Sequence, residues 1–244
     1  SENRRLLRRT FRFIQAAHHG VNRSRDNTNG APRSYDHHPM EVALLYAEME
    51  IFARRSASAK LSSEQVADKI IEIAERIAHM DKDQLKSRLE AVSDCMSDEQ
   101  MTIIVGLLCH DTIESAYAKD DTARKKTEVT EKRIAEIKGL REGAELIAVR
   151  LTDSSRYKTK RQKREHQVLL ARKQKYASLK KFDVIANMFD QVLIPNQRRP
   201  RKKKLTQLRH MRSFMRVAYR YRNIHFCYLL ASERIYKNAK AQLG

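Results

Sequence analysis

The chain has 244 residues, long enough for one large domain, or one domain with an insertion, around a real apolar core. Apolar residues make up 41% of it, which excludes a disordered polymer. Only 6 Gly and 4 Pro leave few turn-makers, which favours long helices over many short strands. Lys plus Arg number 50 against 30 Asp plus Glu, a net charge of +20. Such a surface attracts polyanions, whether nucleic acid, anionic membrane or a multiply phosphorylated nucleotide, and the sign alone does not choose among them.

Cys95, Cys109 and Cys227 are odd in number and far apart. They fit neither a disulfide framework nor a zinc knuckle, and they suit a reducing compartment. The longest apolar run, Ile103 to Cys109, is far too short to cross a bilayer. Arg4, Arg5, Arg8 and Arg9 lead into no long apolar segment of the secretory kind, so the expected compartment is the cytoplasm, without a membrane partner.

In chain order, Leu6 to Ala17 carries apolar residues at helical spacing. His18 to His37 breaks that pattern with Gly20, Asn27, Asn29, Gly30 and Pro32, and reads as a polar loop long enough for a functional role. Pro39 opens a helix from Met40 to about Phe52, where its missing N–H costs little. Ser62 with Gln65 three residues on forms a capping box ahead of Ile70, Ile71, Ile73, Ala74 and Ile77. Asp81 to Val92 reads as a short helix. A cap near Ser97 starts another, Glu99 to His110, apolar almost all round and hence buried. Lys119 to Thr130 reads as loop and Glu131 to Thr152 as helix. A basic stretch from Ser154 to Arg164 then leads into a helix ending near Leu170. A helix around Leu179 to Phe189 follows, then a solvated charge run at 196–204, then a helix or helix pair from Leu205 to Leu243. The fold class that follows is all-α.

The segment with most chemistry is Leu107-Leu108-Cys109-His110-Asp111-Thr112-Ile113-Glu114. A buried helix delivers a histidine and an aspartate together at its end. Imidazole nitrogen with carboxylate oxygen suits Mn²⁺, Fe²⁺ or Zn²⁺. A His-Asp pair at a helix terminus is also compatible with simple capping. Elsewhere, His38 precedes a helix at Tyr35-Asp36-His37-His38-Pro39. Asp183 and Asn187 stand four apart in an apolar stretch, so they project from the same side of one helix. A carboxylate in apolar surroundings needs a partner or a metal, and a salt bridge or cap would satisfy Asp183 as well as an ion would.

The order Ala17-His18-His19-Gly20-Val21-Asn22-Arg23, Tyr35 through Ala43 (Y-x-x-HP-x-EVA), Leu107 through Glu114 (LL-x-HD-T-x-E) and Asp183 through Asn187 resembles the hydrolase domain of the RelA/SpoT alarmone family. It is most similar to the small stand-alone SpoT homologues of metazoans. The resemblance runs from about residue 10 to 190, on short motifs in a specific order. It implies a helical HD-domain bundle over residues 1–195, with a helical insertion at about 52–97. Residues 196–244 are expected to form a basic loop and C-terminal helices packed on the same domain. It also implies Mn²⁺ held by His38, His110, Asp111 and Asp183. Glu114 would orient water or shuttle its proton, with Asp111 sharing the catalytic centre. Arg23 and Asn187 would contact substrate, and Lys158, Lys160, Arg161 and Arg164 its phosphates. The implied reaction removes the 3′-pyrophosphate from guanosine tetra- and pentaphosphate.

Three departures stand out. Glu114 is followed by Ser115 where the family has aspartate. His38 and His110 are 72 residues apart, much further than in the family. The loop from Arg23 to Tyr35 is longer. These leave two other readings open: the same metal chemistry on another nucleotide such as NADPH, and a basic module that has lost catalysis and holds nucleic acid or a protein through the run Arg198 to Lys204. His18 and His19 could join the site or anchor the loop. His79, His166, His210 and His225 read as surface or packing residues.

Overall fold

A computed structural model describes residues 1–17, 22–26, 32–34, 36–110, 112, 165, 168–194 and 199–243. The fold is all-α. Among the described residues the main helices are α1 (Glu2–Ala17), α2 (His37–Arg55), α3 (Ser63–Ala78), α4 (Lys82–Ser93), α5 (Asp98–Cys109), α6 (Gln174–Leu193), α7 (Arg201–Arg220) and α8 (Phe226–Leu243). Two short strands, β1 (Asn22–Asp26) and β2 (Pro32–Ser34), pair where the sequence reads as loop. Asn-Arg-Ser-Arg-Asp has no apolar alternation, so no periodicity announces it. The helix expected over Glu131 to Thr152 lies outside the described residues.

The helices fall into two compact units, and α2 runs from one into the other. The first unit holds α1, α2 as far as Glu48, α4 and α5. The second holds α2 from Met49, α3, α6, α7 and α8. The 52–97 stretch is therefore divided, with α3 in the second unit and α4 in the first.

In the first unit, α1 buries Leu6, Leu7, Phe11, Ile14 and Ala17 against α4 and α5. Its opposite face is basic. Arg8 grips Glu90 through two bonds of 3.0 and 2.8 Å, an exposed pair that solvent screens and that adds little to stability. α5 is buried along most of its length, from Met101 through Ile104 to Cys109. Burial alone pushes the Cys109 thiol up to about 12, so it packs as a protonated apolar group. No helix among the described residues is long and apolar enough to cross a membrane.

Helix starts are strongly written. α3, α4 and α5 each begin with a capping box: Ser62 with Gln65, Asp81 with Gln84, and Ser97 with Gln100. Each box satisfies two backbone donors that the first turn leaves bare. Changing Ser62 to Ala should cost about 1 kcal/mol in urea unfolding, and Ser62→Asp should cost far less.

In the second unit, α8 packs on α3, α6 and α7. Phe182 meets Tyr228 edge-on with ring centroids 5.6 Å apart, and Tyr176 meets Phe214 at 6.2 Å. The charge run expected as solvated loop is partly helical, since α7 starts at Arg201. Lys204 is buried, and its ammonium donates to the carbonyl of Ile194 at the end of α6. The run reads as solvated because its charges are dense. A lysine stem can nevertheless lie along apolar surface while its amine satisfies a terminal helix carbonyl.

Lys181 holds its amine 3.9 Å over the Tyr228 ring and 4.8 Å over the Phe182 ring. Burial pushes its pKa down to about 8 from an ordinary 10.5, partly opposed by Cys227 and Glu50. The folded state thus disfavours the charged amine. That penalty is full below pH 8 and fades as pH rises toward 10.5. The melting temperature of the wild type relative to Lys181→Met should climb across that window, and a constant difference would contradict the burial.

Candidate metal centre

In the first unit, the entry of α2 is pinned on both sides of the chain. Asp36 forms an ion pair with Lys82 at 2.5 Å, and the His37 Nε2–H donates to the Met80 carbonyl at 3.3 Å. Pro39 sits in the first turn, where no intrahelical donor is needed. This geometry drives the next side chain, His38, inward until it is 1% exposed.

His110 closes α5 and is 0% exposed. Its Nδ1–H donates to the Leu107 carbonyl at 2.5 Å, and the Thr112 hydroxyl donates to the Cys109 carbonyl at 2.7 Å. Both bonds use carbonyls that a helix end leaves bare. A carbonyl can only accept, so the proton sits on Nδ1 and Nε2 carries the lone pair a metal needs. The C-terminal end of α5 also bears the negative end of its dipole, which favours a nearby cation.

The structure brings His38 and His110 together. Their ring centroids are 5.8 Å apart, and a nitrogen of one lies within 4.8 Å of a nitrogen of the other. Glu41, one turn along α2 and also buried, places a carboxylate oxygen 3.7 Å from His38 Nδ1. That is an ion-pair distance rather than a hydrogen bond, and it adds negative charge where two imidazoles already meet. Glu41 was not singled out from the sequence. The available signal was an acidic residue three positions after a histidine on one helix face.

In the second unit, Asp183 is buried in the middle of α6. Lys180, also buried, donates to its Oδ2 at 2.8 Å, and the Asn187 amide donates to its Oδ1 at 2.7 Å. Asp183 and Asn187 share a helix side, as their four-residue spacing implies. Lys180 is an addition that the sequence reading did not single out. Each carboxylate oxygen has two lone pairs, so these two bonds leave acceptor capacity on Asp183.

Asp111, Glu114, Lys158, Lys160, Arg161 and Arg164 lie outside the described residues, as do His18 and His19. Arg23 falls in β1, of which the backbone alone is described. His79 and His225 are exposed, as their lack of partner motifs suggests. No protein-family model, curated protein or solved structure matches the chain.

Proposed function

We propose that the chain is a divalent-metal phosphohydrolase that removes the 3′-pyrophosphate from guanosine tetra- or pentaphosphate. The observation that carries this reading is the buried His38–His110 pair, with the His110 tautomer set by the Leu107 carbonyl. Two imidazoles in such surroundings fit a Mn²⁺, Fe²⁺ or Zn²⁺ ion. His38, His110, Asp111 and Asp183 would hold it, and Mn²⁺ is the ion the motif order favours. When bound, such an ion supplies Lewis acidity and lowers the pKa of water.

The remaining roles belong to the chain. Glu114, four residues past His110, would take and return a proton from the attacking water. The Leu107 carbonyl holds His110 in register. Asn187 orients the Asp183 carboxylate through its amide and is the residue nearest the ribose role in the motif pattern. Arg23, Lys158, Lys160, Arg161 and Arg164 would neutralise the charge of the leaving pyrophosphate.

The test incubates the purified chain with Mn²⁺ and guanosine tetraphosphate and separates the products. A His110→Ala/Asp111→Ala variant serves as control. Pyrophosphate release by the wild type alone supports the reading. Bound metal without release sinks the substrate and moves the search to NADPH and other nucleotides, which Ser115 in place of aspartate already motivates. Neither metal nor turnover favours a basic binding module.

A further inference from the structure

The helix α7 carries eight Lys or Arg residues and no acidic residue among its 20 positions. Lys202, Arg209 and Arg216 recur every seven residues and are exposed, so they form one stripe with a cation about every 10 Å. Glu233 on α8 takes up part of this charge, at 2.6 Å from Arg216 and 3.6 Å from Arg212. Lys202 and Arg209 lie toward the other end of the stripe, away from that carboxylate.

Three aromatic rings stand in solvent where the stripe ends. Tyr219 is 40% exposed, Tyr221 48% and Phe226 42%. Tyr219 and Phe226 have centroids 5.4 Å apart, and the Arg172 guanidinium covers one face of Tyr221 at 5.2 Å. The turn presenting them is held firmly. The Asn223 amide donates to the Ala171 carbonyl at 2.9 Å, its backbone N–H to the Ala218 carbonyl at 2.9 Å, and Arg222 takes a left-handed φ of 58°. That conformation is costly for a non-glycine residue, so the surrounding bonds impose it.

Exposed rings beside guanidinium groups offer flat faces on which bases stack, and a basic stripe tracks phosphates. A duplex hides its base faces, so this combination selects single strands. An anionic membrane also attracts cations, but insertion needs an apolar helix face. Of the aliphatic residues of α7, Leu208 and Met215 are wholly buried and Leu205, Met211 and Val217 are partly covered, so no continuous apolar face stands in solvent. We propose that α7 and the α7–α8 turn form a binding surface for single-stranded nucleic acid, with the cations on its phosphates and Tyr219, Tyr221 and Phe226 on its bases. This surface does not depend on the metal reading.

The test is fluorescence anisotropy of the full chain with a labelled oligouridylate of about a dozen nucleotides. A duplex of equal length and phosphatidylserine vesicles are the comparators. Tyr219→Ala/Tyr221→Ala should weaken single-strand binding about tenfold or more, the scale of one lost stacking contact, and leave duplex binding unchanged. The double Tyr→Phe variant should bind as the wild type does. Lys202→Gln/Arg209→Gln should weaken both nucleic acids and lower the slope of log affinity against log salt by about one to two. The proposal is overturned if the alanine pair leaves single-strand affinity intact or weakens duplex binding equally. It is also overturned if tyrosine-dependent vesicle binding occurs without oligonucleotide binding. Should the alanine pair melt early, the single exposed change Tyr221→Ser carries the same test.

Discussion

Replacing His110 by Ala should weaken Mn²⁺ binding by more than about 100-fold, beyond the 10- to 100-fold that loss of an outer-shell partner brings. The readout is calorimetric titration of the metal-stripped protein. The ring is fully buried and its Nδ1–H is committed to the Leu107 carbonyl, so no solvent group stands ready to replace Nε2. A second readout separates ligand loss from damage to packing. A ligand present at 100 times its dissociation constant stabilises the fold that binds it by about 2.7 kcal/mol. Added Mn²⁺ should therefore raise the melting temperature of the wild type and leave that of His110→Ala unmoved. His38→Ala should behave alike. A full Mn²⁺ response in either variant would remove the histidine pair from the centre.

Replacing Asp183 by Ala should destabilise the protein by about 3–5 kcal/mol even in the absence of metal. The change removes the carboxylate that the buried Lys180 ammonium meets at 2.8 Å and that helps offset its desolvation. Urea unfolding measures the loss. Lys180→Met should also destabilise, because it removes the charge-assisted bond to the buried carboxylate while the Asn187 amide bond stays. The double change Lys180→Met/Asp183→Leu should recover most of the stability, because a buried ion pair replaced by apolar groups of similar volume is often neutral. A double variant as unstable as Asp183→Ala would show that the ion pair is not the issue. The same double variant should lose Mn²⁺ affinity if Asp183 is a ligand, so stability and metal binding part company at this residue.

How much of this was legible in the sequence depends on the kind of interaction. Caps are local and have their own grammar, so Ser62-x-x-Gln65 marked the start of α3 correctly. Pro39 placed the entry of α2 to within three residues, and the apolar run into His110 announced a buried helix end. Asp183 and Asn187 were paired by spacing, and they are hydrogen-bonded. The misses share one cause. Lys180, Lys204 and Glu41 are charged residues whose burial is decided by what covers them in three dimensions, and a linear pattern carries no record of that. The strands at 22–26 and 32–34 escaped because their polar sequence lacks the alternation that marks a half-buried strand.

The packing of α3 against α8 also has a consequence for synthesis. The end of α3, at Ala78, leaves the ribosome about 150 residues before α8 begins at Phe226. At about 5–20 residues per second, that interval is on the order of ten to thirty seconds. Throughout it, α3, which buries Ile70, Ile73 and Ile77 in the finished protein, lacks α8, one of the helices it packs on. The nascent chain thus carries an apolar stripe on an amphipathic helix for longer than most helical domains take to fold.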